Sequence, residues 1–121
     1  MRKYEYALTG IFVFAKVRDV AATFTALAEP HRRHILDLLR RGERSVGELV
    51  TELEVSQPVV SKHLRVLRDA GLVDVRTDAQ RRVYRVRPDP LRELDDWLAP
   101  YRELWSSGLD RLERHLDEMP D

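Results

Sequence analysis

The sequence predicts a mainly helical α+β domain in which a single β-hairpin follows four helices and precedes a helical tail. Three observations predict it. Apolar residues recur at steps of three and four through residues 20–70 and again from Leu91 to Leu116. Between these stretches the pattern changes to branched and aromatic residues flanking a polar tip. Serine, proline and glycine stand where the periodic segments begin and end.

The elements follow in order. Asp19 caps a first helix running to about Glu29, with Val20, Phe24, Leu27 and Ala28 on one face. Pro30 suits the first turn of a second helix, which carries Ile35, Leu38 and Leu39 and ends at Gly42. Ser45-Val46-Gly47-Glu48 has the serine-to-glutamate spacing of a capping box, so a third helix runs to about Leu53. Ser56 caps a fourth, in which Val60, Leu64 and Leu67 share a face and Gly71 supplies the left-handed stop. Leu72, Val73 and Val75, then Val83, Tyr84 and Val86, form a hairpin around Asp78-Ala79-Gln80-Arg81. Pro88-Asp89-Pro90 closes it and opens the tail. There Leu91, Leu94, Leu98, Tyr101, Trp105, Leu109, Leu112 and Leu116 form a long apolar stripe, which Pro100 is expected to split into a short and a longer helix.

Three regions result: an N-terminal extension over residues 1–18, a helical and hairpin unit over 19–87, and C-terminal helices over 88–121. The extension has alternating apolar positions (Ile11, Val13, Ala15, Val17) that suit a strand, an arm against a partner subunit, or a disordered segment. Met1-Arg2-Lys3 before it superficially resembles the start of a signal peptide. Thr9, Gly10 and Lys16 interrupt the apolar stretch, so neither secretion nor a membrane span is expected.

Composition excludes several chemistries. The 121 residues are 43% hydrophobic and 35% charged, which describes a globular chain rather than a disordered one. With no cysteine there is no disulfide, thiolate metal site or cysteine nucleophile, as befits a cytoplasmic protein. Glycine-rich phosphate loops, nucleophile elbows and framed carboxylate pairs are missing, so an enzyme is not expected. Net charge is zero but unevenly spread. Residues 56–87 hold eight Lys/Arg against three Asp, whereas residues 88–121 hold four Arg against ten Asp/Glu. A basic middle is joined to an acidic tail.

Two helices joined by the tight turn Glu54-Val55-Ser56, followed at once by a basic hairpin, spell a winged helix-turn-helix. In that unit the second helix enters the major groove of double-stranded DNA, N-terminal end first. The groove admits one helix, so its outward residues must be small, polar or flexible. Ser56, Gln57, Pro58, Ser61 and Lys62 meet that requirement. Gln57 suits a bidentate contact to adenine, and Ser61 and Lys62 reach base edges or phosphates. Arg65, Arg68, Arg81 and Arg82 suit phosphate or minor-groove contacts. His63 lies toward the packed side and is either a structural histidine or a phosphate contact. A docking module for another protein is the alternative use of such a unit, and it would not need Lys62, Arg65, Arg81 and Arg82 facing one way.

The segments LAEPHRRHIL and SQPVVSKHLRVLRDAGLV, within residues 20–87, resemble the ArsR/SmtB family of bacterial transcriptional repressors. The tail, W-L-x-P-Y-x-x-x-W followed by L-D-R-L-E-x-x-L, is similar to a subgroup without metal ligands that includes SdpR-like autorepressors. The resemblance implies a homodimer on a pseudo-palindromic operator, joined through its first and last helices. Phe24, Leu98, Tyr101, Trp105, Leu109, Leu112 and Leu116 would form that interface. Trp97, Tyr101 and Trp105 suit interface packing, or an organic ligand in the dimer groove.

The same resemblance bears on metal. The family's arsenic and cadmium pattern, E-L-C-V-C-D-L, is matched by Glu43 to Leu49, with Ser45 and Gly47 at the cysteine positions. Its zinc pattern pairs Asp-x-His with a later His-x-x-His or His-x-x-Glu. His115 and Glu118 match the second half, but Arg102 and Leu104 stand at the first. His31 and His34 lie three apart without a third ligand at convincing spacing. No metal and no cofactor are expected. The hairpin tip also departs from the relatives' common Glu-Gly-Arg, since Gln80 precedes Arg81.

Overall fold

A computed structural model describes residues 20–119. Asp19 and the extension, with its expected strand or arm, lie outside the described residues. The first helix, α1 (residues 20–27), stops two residues earlier than its periodicity suggests. The reason is Glu29, which is extended at φ −98° and ψ 127° and caps the next helix instead. Its carboxylate accepts from the Arg32 backbone N–H at 3.1 Å, and Pro30 fills the first position of α2 (Pro30–Arg40). The end of α2 falls two residues before Gly42, which bonds back to Leu39 O at 3.0 Å.

A two-residue strand, β1 (Arg44–Ser45), comes next and is too short to leave a period in the sequence. Ser45 then caps α3 (Val46–Leu53) with both halves of the expected capping box in place. The turn out of α3 passes through Glu54 at φ 58°, a left-handed conformation usually left to glycine. Ser56 occupies the cap position of α4 (Gln57–Asp69), but its hydroxyl makes no capping bond; its backbone carbonyl accepts from Val60 N–H at 3.1 Å. At the other end Gly71, at φ 76°, donates to Arg68 O while Leu72 donates to Leu67 O, a Schellman closure.

The hairpin is β2 (Val73–Asp78) with β3 (Arg81–Val86), paired from Val73–Val86 to Asp78–Arg81 across the loop Ala79-Gln80. Ala79 takes φ 56°, so a two-residue loop forms here without a glycine. β1 joins the other edge of β3 to give a three-stranded antiparallel sheet ordered β1-β3-β2. The core lies between this sheet and the helices. Ile35 of α2, Leu49 of α3, Val60, Leu64 and Leu67 of α4, and Leu72 and Val73 are all buried. That packing fixes α4 and the hairpin to one frame.

The tail is a single helix, α5 (Asp89–Glu118), and not two. Pro100 removes one backbone N–H from the ladder, but at an exposed position, where the carbonyl left over is available to solvent. At 1.5 Å per residue α5 is about 45 Å long, and none of its residues is buried. No helix among the described residues is long and apolar enough to cross a membrane.

Candidate nucleic-acid interface

The apolar stripe of α4 points into the core, which leaves Ser56, Gln57, Pro58, Ser61, Lys62, Arg65 and Arg68 exposed. Val59 is exposed with them, and sequence reading passed over it because a branched apolar residue beside Val60 looks like core. Between α4 and β3 runs a cleft of about 390 Å³, lined by Gln57, Ser61, Arg65, Arg68, Asp69 and Arg82 over a floor of Val46, Leu64 and Tyr84. The structure thus brings the helix residues and one hairpin arginine, widely separated in sequence, to one surface.

It also sorts the cations of the basic middle. Arg76 is locked to Glu43 at 2.6 Å, tying β2 to the segment before β1. That hydrogen bond and charge hold the Glu43 carboxyl below its ordinary range. Arg85 and Arg87 both face Asp74, at 3.4 and 3.5 Å, and Arg87 also approaches Asp89 at 3.6 Å. Arg81 lies 3.6 Å from Asp78 and 3.9 Å from Glu48, whose own carboxyl is held low by the Ser45 backbone N–H. Lys62, Arg65, Arg68 and Arg82 form no ion pair among the described residues. These four remain available to an external anion, and all lie on α4 or at the start of β3.

His63 is turned away from this surface. Its side chain keeps only 12% of its area exposed, and its Nδ1 lies 3.4 Å from Arg32 Nη1. Its Nε2 is 3.9 Å from Glu29 Oε2, and its ring stacks on His31 with centroids 5.5 Å apart. Burial, the Arg32 charge and the neighbouring His31 and Lys62 push the His63 pKa below its ordinary value, against the pull of Glu29. Of the two roles open to it in the sequence, the structural one is what its surroundings match.

Glu29, His31 and His63 are also a group whose donor atoms lie within 4.8 Å of one another. Sequence spacing did not reveal it, because His63 stands 32 positions after His31 while His34, the near neighbour, takes no part. The donor set fits a cation poorly. With Arg32 Nη1–H donating to Nδ1 of His63, the ring proton sits on Nε2, the nitrogen that faces Glu29. A metal on Nε2 would force a proton onto Nδ1, pointed at a guanidinium.

A second surface is apolar. Phe24 of α1 meets Trp97 of α5 edge to face at 5.5 Å, and Trp97 leans on Tyr101 at 5.0 Å. Tyr101, Trp105, Leu109, Leu112 and Leu116 continue it as exposed side chains, Leu98 is half-buried beside them, and Leu104 and Met119 extend it beyond the sequence reading.

Comparison with known proteins is consistent across three kinds of match. Residues 29–75 match the family model described as bacterial regulatory protein, arsR family. The chain is 40% identical over 79 residues to the biofilm growth-associated repressor of Agrobacterium fabrum, covering 65% of this chain and 68% of that one. It is 31% identical over 75 residues to the transcriptional repressor SdpR of Bacillus subtilis, covering 62% and 83%. Among solved structures, an ArsR-like transcriptional regulator from Rhodococcus sp. RHA1 superposes with a TM-score of 0.69 at 27% identity, over 88% of this chain and 98% of that one.

Proposed function

From the premise that this chain belongs to the arsR family, whose members are DNA-binding transcription regulators and not enzymes, we propose that it is a homodimeric repressor that works without a metal effector. The N-terminal turns of α4 enter the major groove. Gln57 and Ser61 read base edges there, and Ser56 and Pro58 line the entry. Lys62, Arg65, Arg68 and Arg82 hold phosphates on either side of the groove. Arg81, already shared between Asp78 and Glu48, contributes less.

The observation that carries this reading is the sorting of the basic middle: the four of its cations without an ion pair among the described residues, Lys62, Arg65, Arg68 and Arg82, lie on the exposed side of α4 or at the start of β3. A helix that only packed the fold together would not need them free. The apolar surface of Phe24 and α5 supports the dimer, since a surface of this length is not left to water in a stable protein. A two-fold axis through it would set two α4 helices about one DNA turn, about 34 Å, apart on a pseudo-palindromic operator.

The test is a fluorescence-anisotropy titration against a duplex from upstream of the protein's own gene and a scrambled control, without added metal, at several salt concentrations. Binding to the first that is tighter by a hundredfold or more supports a metal-independent, sequence-specific regulator, on the scale of specific over non-specific binding. Equal, weak binding to both refutes the assignment of Gln57 and Ser61 as base readers at that site.

A further inference from the structure

His63 is the one polar residue of α4 that is not exposed. The groups that meet it are themselves tethered. Arg32 donates through Nε to Ala26 O at 2.7 Å and through Nη2 to Thr25 O at 3.2 Å, so its guanidinium is fastened to the end of α1. The Glu29 carboxylate is held by the Arg32 backbone N–H at 3.1 Å and by His31 Nδ1 at 3.2 Å. The His63 ring therefore rests in a rigid seat formed where α1 turns into α2. The helix it seats is the one that carries Ser61 and Arg65 on its opposite side and Lys62 next to the ring's own position.

We propose that His63 is a positioning residue for DNA binding, whose neutral ring seats α4 on the α1–α2 turn and whose protonation unseats it and weakens the hold on DNA. The inference rests on α4 being the DNA-reading helix. Only a neutral ring can accept the Arg32 Nη1–H at Nδ1. A proton at Nδ1 sets two donors and two positive charges face to face across 3.4 Å, and Arg32 is not free to withdraw. Lys62 on the same helix and His31 across the stack add like charge, and Glu29 is the one carboxylate facing the ring among the described residues. Since the ring of the seated protein holds its proton less tightly than a free histidine, the unseated form takes up the proton first as pH falls. Seating is complete above the ordinary histidine range near 6.5 and is lost as pH falls through and below it.

This sign is opposite to that of general electrostatics. Acidification makes the whole protein more positive and by itself strengthens attachment to phosphates. The experiment is an anisotropy titration on the upstream duplex at fixed ionic strength between pH 7.5 and 5.5, with NMR titration of the histidine ring signals of the DNA-free protein. The expected result is an affinity that drops several-fold toward acid, the direction that a proton bound less tightly by the seated ring requires. Its midpoint coincides with that of the His63 ring. In His63→Gln the ratio of affinities at the two pH limits collapses to about one or inverts, whatever the absolute affinity. Glu29→Gln, which keeps an acceptor for the Arg32 backbone N–H, moves the midpoint toward acid because the facing negative charge is gone.

Affinity that holds steady or rises toward acid in the parent overturns the proposal, as does a His63 ring that titrates at or above the ordinary histidine value. A change in affinity on adding zinc(II) that His31→Ala abolishes would overturn it differently, by assigning these side chains to a metal. Absence of binding at every pH refutes the DNA reading itself, and the ring titration then decides the seat on its own.

Discussion

Leu112→Glu should turn a dimer into monomers. Leu112 is 53% exposed on α5. Fully burying a leucine is worth about 1.5–3 kcal/mol, so covering the remaining half contributes about 1 kcal/mol or slightly more per subunit. A two-fold interface doubles this to about 2–3 kcal/mol. Glutamate both forfeits that term and adds a carboxylate to an apolar contact, at a further cost of at least about 1 kcal/mol in each subunit. The sum is about 4 kcal/mol or more, a factor of about a thousand in the dimer dissociation constant. Sedimentation velocity at micromolar protein reads it directly, since the parent should run at twice the chain mass of 14.2 kDa. Leucine and glutamate have similar helix propensity, so the far-ultraviolet circular dichroism of the variant should match the parent. Asp110→Ala, on an exposed polar position nearby, is the control and should remain dimeric. If Leu112→Glu sediments as the parent does, the stripe on α5 is not the interface and the assignments of Leu109, Leu112 and Leu116 fall together.

The remaining expectations are shorter. Gln57→Ala should cost about 1–3 kcal/mol on the specific duplex and little on a scrambled one, measured by parallel anisotropy titrations; equal losses on both would make Gln57 a phosphate contact. Four free cations per subunit imply a slope of log affinity against log salt near −7 for the dimer, and Arg82→Ala should flatten it by about two. Arg81→Ala should change the slope less, because its charge is already shared with Asp78 and Glu48. Glu54→Gly should raise stability by about 0.5–1 kcal/mol, since relief of the left-handed conformation exceeds glycine's entropic cost; a thermal midpoint that fails to rise by a few degrees would contradict the assigned turn.

Much of the fold was legible because its determinants are local. A capping box at Ser45 and Glu48, a proline opening α2 and a glycine closing α4 each act within one helical turn, and each appears at its expected residue. Errors arose where a local rule met a global outcome. Pro100 breaks helices in general, but here a single lost bond at an exposed site leaves the ladder on either side intact. The strand β1 exists only because Arg44 and Ser45 pair with Tyr84 and Val83, some forty residues away, and two residues carry no period. The seat of His63 is of the same kind. Glu29, His31 and Arg32 are adjacent in the chain, but nothing in their spacing points to a ring 31 positions beyond Arg32.

The distribution of charge resolves how a chain with no net charge can serve a polyanion. Counting by segment overstates the basic middle, because four of its eight cations are neutralised where they stand: Arg76 by Glu43, Arg85 and Arg87 by Asp74 and Asp89, and Arg81 by Asp78. Those pairs are exposed and add little stability, but they hold the base and tip of the hairpin in register with β1 and α3. What they leave in that segment is Lys62, Arg65, Arg68 and Arg82, of which the three arginines line the cleft between α4 and β3. The acidic surplus sits on α5, about 45 Å long and with its apolar stripe turned to a different surface. At physiological ionic strength fields decay over about 8 Å, so acidic turns of α5 farther than that from the α4–β3 cleft are screened from its cations. Net charge is therefore a poor guide to partner choice here, and the arrangement of pairs is the quantity that decides it.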